Sequence, residues 1–218
     1  MLSRYIKRIF DILLGIAALI ILSPLFIVIY LSVLLKLGRP VFFKQDRPGK
    51  NCRTFYLFKF RSMTNKTDSN GKLLPNEQRL TPFGKFLRST SLDELPSLIN
   101  VIRGELSFVG PRPLRTHYLP YYSAEQIKRH ETLPGITGWA QVNGRNLLNW
   151  EQKLAMDVWY VEHRSFWLDL KILFLTINKV FMRQGITPAE TEFGIPFDEY
   201  VKSQKANDER KLPIPAKI

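Results

Sequence analysis

Two neighbouring carboxylates, Asp93 and Glu94, sit in the run Arg88-Ser89-Thr90-Ser91-Leu92-Asp93-Glu94-Leu95-Pro96, and Ser107-Phe108-Val109-Gly110-Pro111-Arg112-Pro113 follows closely. Acids bracketed by arginines, with a proline-stiffened arginine loop downstream, suit the handling of phosphate. At the predicted start of a helix, the local dipole would keep Asp93 ionised and draw a phosphoryl group beside it. Asp93 then has the chemistry of a nucleophile that forms an acyl phosphate. With Asp93, Glu94 would hold Mg²⁺, which offsets the charge of phosphates that an anion must approach. The same residues have a structural reading: Ser91 and Glu94 are spaced as a capping box, and acids favour the first turn of any helix. Successive helical positions point about 100° apart, so the two acids cannot face each other across a glycosidic bond.

Lys59, Arg61, Arg88, Arg112 and Arg145 are the candidates for phosphate contacts. Pro111 and Pro113 stiffen the backbone of Arg112 and ready its guanidinium for bidentate binding. A rigid surface turn would show the same residues. Lys59 and Arg61 share one face of a predicted strand with Phe55 and Leu57, a pattern that a solvated strand also gives. Pro134 to Arg145 is rich in turns, and its Gln141, Asn143 and Arg145 are candidates to read a nucleotide or sugar. Asp157 and Asp169 are further candidates, each equally suited to a cap or an ion pair. No G-x-G-x-x-G or P-loop pattern occurs, which disfavours dinucleotide and Walker-type sites.

The elements that must position these residues are legible in outline. Val41 to Arg47 and Cys52 to Met63 read as strands joined around Pro48-Gly49-Lys50-Asn51. Thr64 to Arg79 reads as a polar surface loop, and Pro82 to Arg88 as a short helix. Trp150 to Val161 has helical spacing, with Asn149 and Gln152 placed as cap and third residue. Phe166 to Arg183 is a second helix, capped by Ser165 and stopped at Gly185, and its Asp169, Lys171 and Lys179 suit a buried or interfacial position. The division expected is a membrane helix over 1–40, a catalytic domain over 41–200 and a flexible tail over 201–218.

From Ile9 to Leu35 the chain is nearly continuous in apolar residues. As one straight helix it would reach about 40 Å, more than the hydrocarbon core needs. Asp11 and Ser23-Pro24 interrupt it, and the proline kinks or breaks a helix there. Both flanks are basic, with Arg4, Lys7 and Arg8 before and Lys36 and Arg39 after, which favours a hairpin entering and leaving by the cytoplasmic face. A spanning helix with a tolerated proline stays open. The net charge is +13, from 32 Lys and Arg against 19 Asp and Glu, so partners are anionic. A single cysteine, Cys52, excludes an internal disulfide framework, and three scattered histidines give no metal-ligand spacing.

Taken together, these motifs resemble the bacterial sugar transferases, the monotopic phosphoglycosyl transferases. The resemblance runs from Lys7-Arg8-Ile9-Phe10-Asp11 through Ser23-Pro24, Gln45-Asp46-Arg47-Pro48-Gly49, Lys59-Phe60-Arg61-Ser62-Met63 and the Ser91 to Pro96 block. It continues through Val109 to Pro113, Pro134 to Arg145, Asp157 to Tyr160 and Asp169-Leu170, and weakens after Gly185. The resemblance implies an α/β, membrane-associated monotopic fold with an N-terminal re-entrant helix, a small β-hairpin and amphipathic interfacial helices. It implies an Asp93–Glu94 dyad with Asp93 as nucleophile, Mg²⁺ as cofactor, and transfer of sugar 1-phosphate from a UDP-sugar to polyprenyl (undecaprenyl) phosphate with release of UMP. The implied place is the cytoplasmic face of the bacterial inner membrane, among membrane lipids. A homodimer is left open, and nucleic acid is not expected as a partner. Two rivals remain at this point: a membrane-anchored basic module binding acidic lipid or nucleic acid, and a hydrolase that cleaves UDP-sugars with water.

Overall fold

The structure, a computed structural model, describes residues 2–144, 148–181 and 195–211. Helix α1 (Leu2–Ile21) and helix α2 (Ser23–Leu37) meet at Leu22 with a bend of 64°. The break falls where proline dictates. Pro24 has no N–H to give to the carbonyl of Ile20, and the hydroxyl of Ser23 donates to that carbonyl instead, at 2.8 Å. No single helix among the described residues is long and apolar enough to cross a membrane; the bent pair passes that test together.

Strand β1 (Phe42–Pro48) pairs antiparallel with β2 (Thr54–Phe60), from Phe42 opposite Phe60 to Pro48 opposite Thr54. The two faces of β2 serve different neighbours. Phe60 joins Ile29 and Val33 of α2, Val41 and Leu87 in one core cluster. Phe55 and Leu57 pack on Val101 and Leu106 in another. After β2, the expected loop is crossed by two bridges, Met63 with Leu80 and Thr67 with Leu73, and ends in a short helix α3 (Asn76–Arg79). Helix α4 (Pro82–Ser89) begins as its sequence requires: Thr81 accepts the N–H of Gly84 at 3.0 Å, and Pro82 occupies the first turn. A Cβ on Gly84 would lie 1.8 Å from the carbonyl oxygen of Ser62, so only glycine lets α4 approach the end of β2 this closely.

The helix expected to start at Ser91 does not form there. Ser91 is left-handed (φ 56°, ψ 17°) and makes no side-chain cap, and Leu92–Glu94 is a single 3₁₀ turn. Helix α5 (Ser97–Arg103) starts only after Pro96. Its fully buried Asn100 accepts from Phe58 N (3.0 Å) and donates to Tyr56 O (2.8 Å), which locks α5 to β2. Strand β3 (Ser107–Val109) then pairs in parallel with β4 (Gly135–Thr137), which sets the Pro111-Arg112-Pro113 segment against the start of the turn-rich loop.

Helix α6 (Trp139–Asn143) leads to α7 (Trp150–His163), where the expected capping box is present: Asn149 accepts from Gln152 N, and the Gln152 side chain accepts from Asn149 N. Helix α8 (Phe166–Phe181) is capped by Ser165, which accepts Leu168 N at 3.1 Å. Arg183 and Gly185, its expected last turn and stop, lie outside the described residues. Tyr160, Val161 and Ile172 join Val109 and Val142 in a third cluster. Helix α9 (Phe197–Lys211) buries Phe197 among Tyr118, Trp150 and Leu154, so the stretch expected to be a tail from 201 is helical as far as Lys211. The N-terminal helix is bolted to this body. Arg8 donates to the last carbonyls of α5, Val101 O at 2.6 Å and Ile102 O at 2.7 Å, and Lys7 pairs with Asp169 at 2.6 Å. The architecture is α/β, mixed helix with two small sheets.

Candidate active site

Asp93 and Glu94 ride on the 3₁₀ turn between α4 and α5, and Ser97 secures that turn by donating to Glu94 O at 2.6 Å. The turn lies against β2. There Lys59 projects on the same side as Phe55 and Leu57 and donates to Glu94 Oε1 at 2.6 Å. Arg112 reaches the same oxygen at 3.2 Å, so one carboxylate oxygen gathers two cations from elements far apart in the chain. Asp93 is buried; its nearest charge is Lys59 Nζ at 4.0 Å from Oδ2, and its carboxylate accepts no hydrogen bond among the described residues. A buried carboxylate without a hydrogen bond is costly to hold. Here it faces a cleft of about 550 Å³, a size usual for small-molecule sites.

Among the described residues, the cleft is lined by one carboxylate, Asp93, and by seven basic side chains: Arg47, Lys59, Arg61, Arg79, Arg88, Arg112 and Arg115. Which of these cations each acid touches separates the two electrically. Burial pushes Asp93 up to about 6, against the pull of Lys59, Arg88 and Arg112. For Glu94, burial acts in the same direction, but the touching charges of Lys59 and Arg112 overcome it and hold the group well below the usual carboxylate range. The expectation that a helix N-terminus would secure the charge of Asp93 is therefore corrected. There is no helix start at Asp93, and desolvation dominates.

The other candidates separate in space. Lys59, Arg88 and Arg112 converge on the acids, and Arg88 is steadied by donating from Nε to Ser62 Oγ at 2.9 Å. Arg61 touches the cleft wall, but its guanidinium serves the end of α2, donating to Leu37 O, to Gly38 O at 2.5 Å and to Arg39 O at 3.1 Å. Asp157 is not at the cleft; it is buried in an ion pair with Arg129, at 2.6 Å. Gln141 and Asn143 also stand away from it, and their amides donate to the nearby carbonyls of Ile136 (3.1 Å) and Trp139 (2.9 Å). Arg145 lies outside the described residues. Asp169 accepts from Lys7 and from the hydroxyl of Tyr160, both at 2.6 Å, a junction between α1 and the body. Sequence reasoning did not single out Arg47, Arg79 or Arg115. Arg47 was within reach, since it sits in the Gln45-Asp46-Arg47-Pro48-Gly49 motif; nothing local marks the other two.

No group of three His, Cys, Asp or Glu among the described residues forms a metal cage by itself. The donors present do fit Mg²⁺, which is commonly held by one or two carboxylates together with substrate phosphates. Asp93 makes no competing hydrogen bond among the described residues, and both bonds to Glu94 fall on Oε1, leaving Oε2.

Fold and site together define a class: an α/β protein with a basic cleft around one buried carboxylate. A family model described as bacterial sugar transferase matches residues 2–183, and the chain belongs to that family. It is 54% identical over 181 residues to an uncharacterized sugar transferase, EpsL, of Bacillus subtilis (strain 168), covering 83% of this chain and 90% of that one. It is 40% identical over 195 residues to the UDP-glucose:undecaprenyl-phosphate glucose-1-phosphate transferase of Escherichia coli (strain K12), covering 84% of this chain but 42% of that protein. The undecaprenyl-phosphate galactose phosphotransferase of Salmonella typhimurium is 38% identical over 200 residues, again with 84% and 42% covered. The chain thus spans less than half the length of these two relatives. Membership makes it a sugar transferase enzyme.

Proposed function

We propose that this enzyme transfers a sugar 1-phosphate from a UDP-sugar to undecaprenyl phosphate, the first membrane step of glycan assembly. The observation that carries the reading is Asp93, a buried carboxylate with no hydrogen-bond partner among the described residues, facing a cleft whose other charged side chains among those residues are all basic. An oxygen of Asp93 attacks the sugar-bearing phosphorus of the nucleotide. The bond from that phosphorus to the bridging oxygen breaks, and UMP leaves with the bridging oxygen. An oxygen of the lipid phosphate then attacks the same phosphorus and displaces Asp93, which is restored as a carboxylate. Lys59, Arg88 and Arg112 stabilise charge on the phosphoryl oxygens in both steps. Glu94 keeps Lys59 and Arg112 aimed at that place. Asp93 and Glu94 would hold Mg²⁺, whose contribution when bound is to offset pyrophosphate charge.

The membrane reading rests on apolar surface. Ile9, Leu13 and Ile20 of α1, Leu31 and Leu35 of α2, and Trp167 and Phe174 of α8 are all exposed, while Lys and Arg flank the bent pair. A hairpin entering from the cytoplasmic face, with α8 lying in the interface, covers that surface. Of the relatives above, the Escherichia coli protein is named for glucose and the Salmonella protein for galactose, so hexose donors are the first to screen.

The test is UMP release. Enzyme with Mg²⁺ and a cognate UDP-sugar, chosen by screening, is expected to release UMP only up to the enzyme concentration when no lipid is present. The sugar phosphate stays on the protein until undecaprenyl phosphate is added, which then receives it. No UMP before lipid addition refutes the two-step scheme; continuous release without lipid makes the enzyme a hydrolase.

A further inference from the structure

Two of the three residues in Pro111-Arg112-Pro113 lack an N–H, so the segment has few donors by which to be held. It is held by its acceptors. Gly135 N donates to Pro111 O at 3.0 Å, Arg129 Nη2 to Arg112 O at 2.8 Å, and Arg47 Nη1 to Pro113 O at 3.0 Å. Three consecutive carbonyls are pinned by three separate donors. The middle one belongs to Arg112 itself.

Arg129 is unlike the cleft arginines. Its side chain is 1% exposed, on a 3₁₀ turn (Gln126–Glu131) packed against α7. It donates to Asp157 Oδ2 from Nε (3.1 Å) and Nη2 (2.6 Å), and from Nη1 to Tyr122 Oη at 3.3 Å. Its guanidinium also stands over the Tyr122 ring, 5.6 Å from the centroid. Stability gives a weak reason for such a pair, because apolar residues of similar volume are often at least as stable as a buried ion pair. A fork held on three sides, with one N–H directed at the Arg112 carbonyl, is suited to fixing a backbone position.

We propose that Arg129, oriented by Asp157 and Tyr122, is a positioning residue for Arg112: it fixes the peptide from which the Arg112 guanidinium reaches the transferring phosphoryl group. The proposal rests on the reading of Arg112 as a phosphate contact given above. Arg129 itself touches no substrate. A lysine at 129 keeps the charge but cannot serve Asp157, Tyr122 and the Arg112 carbonyl together.

The test uses the full chain in detergent with undecaprenyl phosphate and whichever of UDP-glucose, UDP-galactose or UDP-N-acetylglucosamine the wild type turns over fastest. Arg129→Lys is expected to lower kcat about 10- to 100-fold, the scale of a misplaced reacting group, with KM little changed. The paired change Arg129→Met with Asp157→Val removes the same donor without leaving a buried charge, so it gives a folded protein with the same kinetic loss if Arg129→Lys unfolds. In an Arg112→Lys background neither change should lower kcat further, because both act through one contact. Folded Arg129 variants with full kcat overturn the proposal, as do losses that multiply with that of Arg112→Lys. If Arg112→Lys is itself fully active, the phosphate contact fails and this inference fails with it. Loss in Arg112→Lys with indifference at Arg129 overturns this inference alone.

Discussion

Replacing Asp93 by asparagine should abolish turnover and at the same time stabilise the protein. Raising a carboxyl from its ordinary 3.8 to about 6 penalises its charged form by about 3 kcal/mol. The folded state carries that penalty in full above about pH 6, where Asp93 is ionised whether folded or unfolded. Below 3.8 the carboxyl is protonated in both states, and the penalty vanishes. An asparagine side chain is never charged, so Asp93→Asn should exceed wild type by about 3 kcal/mol at pH 8, with the gap closing as pH falls through 6 toward 3.8. A chain of this size gains about 2–4 °C per kcal/mol, so the midpoint should rise by about 6–12 °C. Thermal unfolding in detergent at pH 8 and pH 5, with UMP release measured on the same samples, checks both halves. The capping-box reading of Asp93 requires the opposite sign: lower stability and turnover largely intact. A variant destabilised at pH 8, or one that still gives a UMP burst, refutes the assignment.

Two further expectations follow from the same geometry. The kcat/KM for UMP release should fall below an apparent pKa near 6, since attack needs ionised Asp93 and Glu94 is held charged well below that range; a flat profile from pH 7.5 to about 5 removes Asp93 as the titrating nucleophile. For topology, single cysteines at Ser3 and Lys36 in a Cys52→Ser background should both escape an impermeant thiol reagent outside intact cells, and labelling of either one rejects the hairpin.

What the sequence made legible follows from how local each signal is. The strand pair, the Asn149 cap and the Ser23-Pro24 break all rest on short spacing or on proline chemistry. The Ser91 capping box had equally good spacing and did not form. Its Glu94 is claimed by Lys59, 35 residues away, and by Arg112, and one short ion pair to each outweighs a reach back to a single N–H. The partner of Asp157 could not be read because Arg129 lies 28 residues upstream, on a turn with no periodicity. Arg61 has the strand alternation of a cleft residue, yet strand β2 ends at Phe60, and the next side chain is free to meet the carbonyls of α2. Gln141 and Asn143 have loop composition in their favour, but they lie on α6, and their amides are taken by the carbonyls of Ile136 and Trp139.

The hydroxyl that Ser23 lends to Ile20 has a consequence for where a bent helix can exist. An ordinary proline kink leaves one carbonyl wanting a donor, and water or a neighbouring helix usually supplies it. In α1–α2 the residue next to the proline satisfies that carbonyl, so the acceptor that the proline leaves open is met within the chain itself. In the hairpin proposed above, that carbonyl would not draw water to the corner. Depth in a bilayer would then be set at the other end, where Lys7 and Arg8 are fastened to Asp169 and to the end of α5. The serine and the proline are therefore not interchangeable halves of a motif. Losing the proline should straighten the rod, whereas losing the serine should keep the angle and leave the Ile20 carbonyl to find a donor elsewhere.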